Sequence, residues 1–238
     1  MSDSLRVLAI SDVEERSLYD FFCPEDWRDR VDLVVSCGDL NHAYLEFLVS
    51  VLNVPLLYVA GNHDTGYRKH PPEGCDDIDG RVVVVKGVRI AGLAGCLRYN
   101  AGPEEYQYTE RQTDWRVRRL DWKMHRSRGV DIMVSHAAPL FDDATRDAPD
   151  PAHRGSLAYR RLLLHQRPAL WLHGHNHLLS NWIPRVTTID GVTVANAYGR
   201  YEVDVVKPTT LSVQTRSWRR PQQEERRSAS ISRASSSR

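Results

Sequence analysis

Six oxygen and nitrogen donors occur along this chain, each just after a short apolar run. They are two aspartates, an asparagine and three histidines: Asp12, Asp39, Asn62, His136, His175 and His177. Short apolar runs predict buried strands, and ligands converge at the rim of the sheet in α/β folds. Asp, Asn and His are donors suited to Mn, Fe, Zn or Mg. The pattern predicts a metal site, and an aspartate shared by two ions would make it a two-metal hydrolytic site.

The elements that must position these donors alternate between buried strands and helices. Strands are predicted over 6–11, 32–37, 55–60, 130–135 and 169–173. Helices are predicted over 15–22, 41–52, 109–125 and 155–165, with Asn41 and Thr109 as N-caps. Hairpins are predicted around Gly87 and Asp190-Gly191, and two further strands over 203–206 and 211–215. Segments 65–80, 96–108 and 137–154 read as loops. The order predicts a mixed α/β domain, with two packed sheets and helices outside.

Composition indicates an ordinary globular protein. The chain has 238 residues, of which 41% are hydrophobic and 26% charged. No apolar run approaches the roughly 20 residues that span a bilayer, so no membrane partner is expected. The amino terminus does not resemble a secretion signal, and the four cysteines lack metal-ligand spacing. Both observations predict a cytoplasmic protein with reduced thiols.

Charge is unevenly distributed along the chain. Residues 216–238 contain seven arginines and two glutamates in a Ser-rich sequence, so we expect a disordered tail after a domain over 1–215. Because the net charge of the whole chain is +1, the domain itself is acidic. An acidic domain argues against a large nucleic-acid surface.

The motifs, in their order, resemble the calcineurin-like metallophosphoesterase superfamily over residues 6–206. They are Asp12, Gly38-Asp39, Gly61-Asn62-His63-Asp64, His136 and Gly174-His175-Asn176-His177. The resemblance implies an α/β fold, a four-layer αββα sandwich of two mixed sheets flanked by helices. It implies two divalent metals at the rim between the sheets. Asp12 and His177 would bind the first, Asp39 would bridge both, and the second would be held by Asn62, His136 and His175.

The expected reaction follows from two-metal chemistry. A water between two ions loses its proton near neutral pH, so a metal-bridging hydroxide would attack the phosphorus. By the resemblance, His63 faces the leaving group, and its imidazolium can protonate the departing oxygen. Asp64 either orients that imidazole or caps a turn.

One residue departs from the superfamily pattern. The first motif is usually Asp-x-His, but here it reads Asp12-Val13-Glu14. Glu14 either ligates the first metal, which would favour harder ions such as Mn or Mg, or points elsewhere and leaves that metal more weakly held. We favour a dinuclear Mn centre with a weaker first site. The chain also resembles small bacterial members whose first motif lacks the histidine.

Other polar residues could contact the substrate. Arg98 could bind a phosphate oxygen and Tyr99 could stack on a ring, although packing of their own loop is the alternative. His173 is predicted to belong to the core, and four histidines to the surface: His42, His70, His125 and His165. The loop after His136 is expected to carry mostly solvated charges, with His153 or Arg154 reaching the site as the alternative. Its acidic members are Asp142, Asp143, Asp147 and Asp150.

The predicted function is metal-dependent hydrolysis of a phosphate ester, with a diester favoured over a monoester. A protein phosphatase is disfavoured because Gly38-Asp39 is not followed by the Asp-Arg-Gly of that group. The rival is a binding protein on a degenerate phosphoesterase scaffold, as in the retromer subunit that resembles this fold. Glu14 favours the rival, whereas His63 argues against it. The oligomeric state is not predicted.

Overall fold

The computed structural model describes residues 4–27, 29–101, 104–141, 151–178, 184–206 and 212–215. The predicted tail lies outside these residues, as do the four loop aspartates Asp142, Asp143, Asp147 and Asp150. Within the described part of the chain, no helix is long and apolar enough to cross a membrane.

Two six-stranded mixed sheets form the centre of the fold. The first has the order β14-β13-β1-β2-β3-β4, where the strands are β1 Ser4–Ser11, β2 Leu33–Ser36, β3 Leu56–Tyr58, β4 Asp76–Asp77, β13 Gly199–Val206 and β14 Ser212–Thr215. The second has the order β11-β12-β10-β9-β6-β5, with β5 Val82–Val85, β6 Val88–Leu93, β9 Ile132–Ser135, β10 Leu170–His173, β11 Val186–Ile189 and β12 Val192–Asn196. A small pair, β7 Cys96–Leu97 and β8 Gln107–Tyr108, stands apart.

The helices cover the outer faces of the sheets. They are α1 Pro24–Trp27, α2 His42–Leu52, α3 Glu110–Arg126 and α4 Leu157–Gln166. One apolar core joins α2 to strands of both sheets, and a second lies between the second sheet and the helix pair α3 and α4. Strands buried on both faces account for the continuous apolar runs of β2, β9 and β10. The expected four-layer αββα sandwich is confirmed.

Local signals place three helices and both hairpins correctly. The side chain of Asn41 accepts a hydrogen bond from the Ala43 N–H, and Thr109 forms a capping box with Gln112. The α4 helix begins after Ser156, slightly later than predicted. At the two hairpin turns, Lys86-Gly87 and Asp190-Gly191, all four residues have positive φ. Such turns match the twist of antiparallel strands.

Three predictions of local structure are wrong. Residues 15–22 form successive turns rather than a helix, and α1 begins later, at Pro24. Tyr19 and Phe22 pack edge-on against Phe47 of α2, so tertiary contacts outweigh the marginal stability of so short a helix. Two of the three segments read as loops contain strands: segment 65–80 contains β4 and a 3₁₀ turn, Thr65–Arg68, and segment 96–108 contains the β7–β8 pair. Two-residue strands have no periodicity for a sequence pattern to reveal.

An ion cluster lies on the first sheet, away from the predicted donors. The carboxylate of Asp32 accepts hydrogen bonds from Arg6 Nε at 2.7 Å, Arg6 Nη2 at 2.8 Å and Lys86 Nζ at 2.7 Å. These bonds, led by that of Arg6, hold the pKa of Asp32 well below its usual range. A depressed pKa contributes stability that is present above the unfolded-state value, about 4, and is lost as pH falls below it.

Asp32→Asn is therefore expected to lower the free energy of unfolding by about 2 kcal/mol at pH 7, and by less at pH 3. Urea unfolding at both pH values measures the difference. Asp20→Asn is the matched control, because Asp20 pairs with Arg16 on the open surface and should change little. An equal loss at both pH values would contradict the assignment.

Candidate metal centre

The predicted donors meet at the carboxyl ends of strands from both sheets. Asp12 follows β1, Asp39 and Asn62 follow β2 and β3, and His136 and His175 follow β9 and β10. Asp12, Asp39 and His175 have φ values of 63°, 57° and 64°. Left-handed backbone at non-glycine residues costs energy and persists where the surroundings impose it, which is common at functional sites.

Two glycines in the motifs allow the loops to approach one another. A Cβ on Gly61 would overlap Oδ1 of Asp39, and a Cβ on Gly174 would overlap Oγ of Ser11. The glycines next to Asn62 and His175 are therefore required by close packing around the carboxylates of the site.

Three side chains form a cluster that could hold an ion. One ligand atom each from Asp39, His136 and His175 lie within 4.8 Å of one another. Asn62 joins them, because its Oδ1 lies 3.0 Å from Nε2 of His136. These are the bridging aspartate and the second-metal ligands that the family resemblance implies.

His136 carries the clearest indication that a cation belongs here. It is fully buried, and its Nδ1 lies 2.8 Å from the carbonyl oxygen of Cys37, to which it can only donate. Its Nε2 faces two more oxygens, Oδ1 of Asn62 at 3.0 Å and Oδ2 of Asp39 at 3.3 Å. A neutral imidazole donates from one nitrogen only, so a proton or a metal must lie between Nε2 and these oxygens.

The electrostatics agree with that geometry. Burial opposes the charged form of His136, yet the Asp39 carboxylate outweighs it and raises the pKa to about 9. For Asp39, burial opposes ionisation, but His136 and the N–H of His63 bring the pKa to about 2. In a buried site where a carboxylate oxygen faces an imidazole nitrogen, a divalent ion can take the place of the proton between them.

His175 is oriented by two hydrogen bonds. Its Nε2 lies 2.7 Å from the carbonyl oxygen of Ala152, which leaves the Nδ1 lone pair free to coordinate. Its backbone N–H lies 3.0 and 3.2 Å from the two carboxylate oxygens of Asp12. Burial, helped by the charge of His136, lowers the pKa of His175 to about 3, so the ring is in the neutral form that binds metals.

Of the two residues expected at the first metal, His177 is open whereas the Asp12 side chain is buried. Nε2 of His177 lies 3.8 Å from Oδ1 of Asp12, and the His177 side chain is 47% exposed. Glu14 is exposed and does not belong to the Asp39, His136 and His175 cluster among the described residues. That position fits the alternative in which Glu14 points elsewhere, and ligation by Glu14 stays a prediction.

His63 and Asp64 have different surroundings. His63 is exposed, and its backbone N–H donates to Oδ1 of Asp39 at 2.8 Å. The Asp64 carboxylate is buried and accepts from the N–H groups of Asp39 at 2.8 Å, Gly61 at 2.7 Å and Leu40 at 3.2 Å. Of the two predicted roles for Asp64, the structure shows a cap of the backbone, and orientation of the His63 ring stays a prediction.

Asp64→Ala is expected to lower the free energy of unfolding by at least about 2 kcal/mol, because it leaves buried N–H groups in two loops without an acceptor. The same change should weaken metal binding, since both loops carry predicted ligands. Thermal unfolding and metal titration measure the two effects. Asp76→Ala is the control, because Asp76 is an exposed carboxylate on the neighbouring strand β4. A variant with unchanged stability would contradict the role of the carboxylate as a cap.

The predicted substrate residues lie beside the cluster. Tyr99 accepts a hydrogen bond at 3.1 Å from Nδ2 of Asn62, which directs the amide oxygen towards His136. Nη2 of Arg98 lies 3.4 Å from the carbonyl oxygen of Gln107. Both side chains are half-buried, and their contact with a substrate stays a prediction.

Two residues outside the predicted donor set, Tyr198 and His153, also lie at the site. The ring of Tyr198 lies 5.2 Å from that of His177, and the residue follows β12 at the same sheet edge, so the strand-end rule could have found it. His153 lies beside His175 and His177, on the 3₁₀ turn Pro151–His153 within the segment 137–154 that was read as a loop. His173 is buried as predicted, and burial lowers its pKa to about 4.

The donor set fits a divalent metal, because a carboxylate and two buried imidazole groups converge in this cluster. The family model for calcineurin-like phosphoesterases matches residues 5–179. The chain belongs to the calcineurin-like phosphoesterase family.

Solved structures resemble this calcineurin-like phosphoesterase at low identity. The protein TT1561 of Thermus thermophilus is 16% identical with a TM-score of 0.58, covering 89% of this chain and 98% of that one. A predicted phosphoesterase of Streptococcus pneumoniae is 13% identical with a TM-score of 0.37, covering 90% and 98%. Vps29 of Chaetomium thermophilum is 12% identical with a TM-score of 0.39, covering 93% and 100%. No curated protein sequence matches the chain. The likeness to the Thermus protein shows the fold alone.

Proposed function

We propose that this calcineurin-like phosphoesterase is an enzyme that hydrolyses a phosphate ester with two divalent metal ions, Mn being favoured. The observation that carries the proposal is the position of His136, whose Nε2 faces oxygens of Asp39 and Asn62 with its other nitrogen already donating. Asn62, His136 and His175 would hold one ion, Asp12 and His177 the other, and Asp39 would contact both. The ions, when bound, supply an activated water and neutralise phosphoryl charge.

The chain's own residues prepare the site for that chemistry. The Asp64 carboxylate fixes the loops of Asp39 and Gly61, and the bond from His175 to Ala152 fixes a ligand ring. His63 is exposed, and its backbone N–H donates to Asp39; its imidazolium would give a proton to the departing oxygen. The proton from His63 would neutralise the leaving oxygen as the P–O bond breaks.

A diester is favoured over a monoester on grounds of charge. A monoester dianion needs more positive charge than a diester, and the site already holds the carboxylates of Asp12, Asp39 and Asp64. The nearby guanidinium of Arg98 is half-buried and directed to a carbonyl oxygen. Less positive charge therefore remains to neutralise the second negative charge of a monoester.

The test is hydrolysis of bis-p-nitrophenyl phosphate and p-nitrophenyl phosphate by the full chain with Mn, Fe, Zn or Mg. We expect turnover with at least one metal, none after chelation, and a preference for the diester. A protein that binds metal but cleaves neither ester with any of the four would instead support the rival function, a binding scaffold. The observation that favours this rival is the exposed Glu14 in place of the usual histidine.

A further inference from the structure

The first metal position lacks one ligand by comparison with the motif that usually forms it. Asp12 and His177 lie 3.8 Å apart at their nearest atoms, whereas Glu14, which occupies the place of the usual histidine, is exposed. Two protein ligands and a shared carboxylate would leave an ion there weakly held.

His153 lies where a further ligand could complete this position. The centroid of its ring is 5.3 Å from that of His177 and 4.8 Å from that of His175. Two imidazoles bound tetrahedrally to one ion have ring centroids roughly 5 Å apart, since each coordinating nitrogen is about 2.1 Å from an ion such as zinc. The separation from His177 is compatible with two rings that share an ion, and so is the separation from His175.

The backbone before His153 is fixed to the metal site. The carbonyl oxygen of Ala152 accepts the hydrogen bond from Nε2 of His175 at 2.7 Å, so the 3₁₀ turn Pro151–His153 lies directly over a predicted ligand. His153 and His177 also line the same cavity, of about 320 Å³, at the edge of the site. The turn thus places His153 at the cavity that the exposed side chain of His177 also lines.

We infer that His153 is a ligand of the first metal ion and supplies the imidazole that position 14 lacks. This inference rests on the proposed function, because it assumes that Asp12, Asp39 and His177 bind an ion. The turn Pro151–His153 would then contribute to the metal centre. Two imidazoles with the carboxylates of Asp12 and Asp39 would hold Mn, Fe or Zn.

In the experiment, the metal-free full-length protein is titrated with Co²⁺. The visible spectrum and isothermal titration calorimetry give the number of ions bound and their affinities. We expect two ions per wild-type chain. His153→Ala should keep the tighter ion and weaken the other at least about tenfold, since even changes behind the ligands cost about 10- to 100-fold. His153→Gln, which keeps the bulk of the side chain, should behave alike, with circular dichroism confirming the fold.

Three further variants make the result specific. Glu14→Gln should bind both ions as the wild type does, and Glu14→His combined with His153→Ala should regain the second ion. His165→Ala is the matched control, because His165 is an exposed histidine paired with Asp121 on the far helices. It should leave both affinities unchanged.

The possible failures are distinct. If His153→Ala bound two ions with unchanged affinity, the role of His153 would be overturned while the proposed function stood. The same would follow if Glu14→Gln, instead of His153→Ala, lost the second ion. A wild type that binds one ion, with an affinity that His153→Ala leaves unchanged, would overturn the role of His153 and the two-ion centre of the proposed function together. A wild type that binds no Co²⁺ would overturn the metal centre and this ligand together. Loss of the second ion in His153→Ala, in a protein that cleaves no ester, would support the ligand and refute the proposed hydrolysis.

Discussion

Asp39→Asn is expected to abolish hydrolysis of bis-p-nitrophenyl phosphate, with kcat/KM falling at least about a thousandfold. The carboxylate accepts the His63 N–H through Oδ1 and faces the buried imidazole of His136 through Oδ2, so both oxygens contact other predicted site residues. An amide presents one neutral oxygen and a nitrogen that cannot coordinate. Loss of several kcal/mol of transition-state stabilisation corresponds to this decrease in rate.

Metal analysis separates this effect from misfolding. Asp39→Asn should unfold cooperatively, as the wild type does, but retain less metal after dialysis. Asp114→Asn is the matched control, because Asp114 pairs with Arg118 and Arg161 on the surface of α3. If Asp39→Asn kept a tenth or more of the wild-type rate, a shared carboxylate between two ions would be excluded.

His63→Ala is expected to lower kcat about 10²- to 10⁴-fold while metal content stays that of the wild type. The ring is exposed, and His63 takes part in the site geometry through its backbone, which alanine preserves. The loss should be larger for an alkyl ester than for a p-nitrophenyl ester, because p-nitrophenolate leaves readily without a proton. A series of aryl and alkyl phosphodiesters measures this dependence on the leaving group.

His70→Ala provides the control, since His70 is an exposed histidine just beyond the same loop. His70→Ala should leave kcat unchanged for every phosphodiester in the series. An equal decrease for every leaving group in His63→Ala would exclude proton donation and point to a role of His63 in binding the substrate.

The sequence was sufficient for most of the architecture and for the ligand set that we propose. Strands buried on both faces leave long apolar runs, and parallel strands of a sheet end at one edge, so the residues after β1 and β2, and those after β9 and β10, were predictably neighbours. Helix caps such as Asn41 act within a few residues, which is why α2 was predicted correctly. The helix predicted over 15–22 was wrong because its aromatic residues pack on α2, a contact distant in sequence.

Only the tertiary structure decided how the residues of the site are used. The sequence left Asp64 between two roles, and its carboxylate proves to bind amides of two separate loops. The sequence left Tyr99 between contact with a substrate and packing of its own loop; its hydroxyl accepts a hydrogen bond from the amide of Asn62, and contact with a substrate stays a prediction. For His153 the sequence left open whether it is a solvated loop residue or reaches the site, and the structure places its ring beside those of His175 and His177. Local patterns reflect burial and capping, whereas a side chain's partner depends on where distant segments of the chain meet.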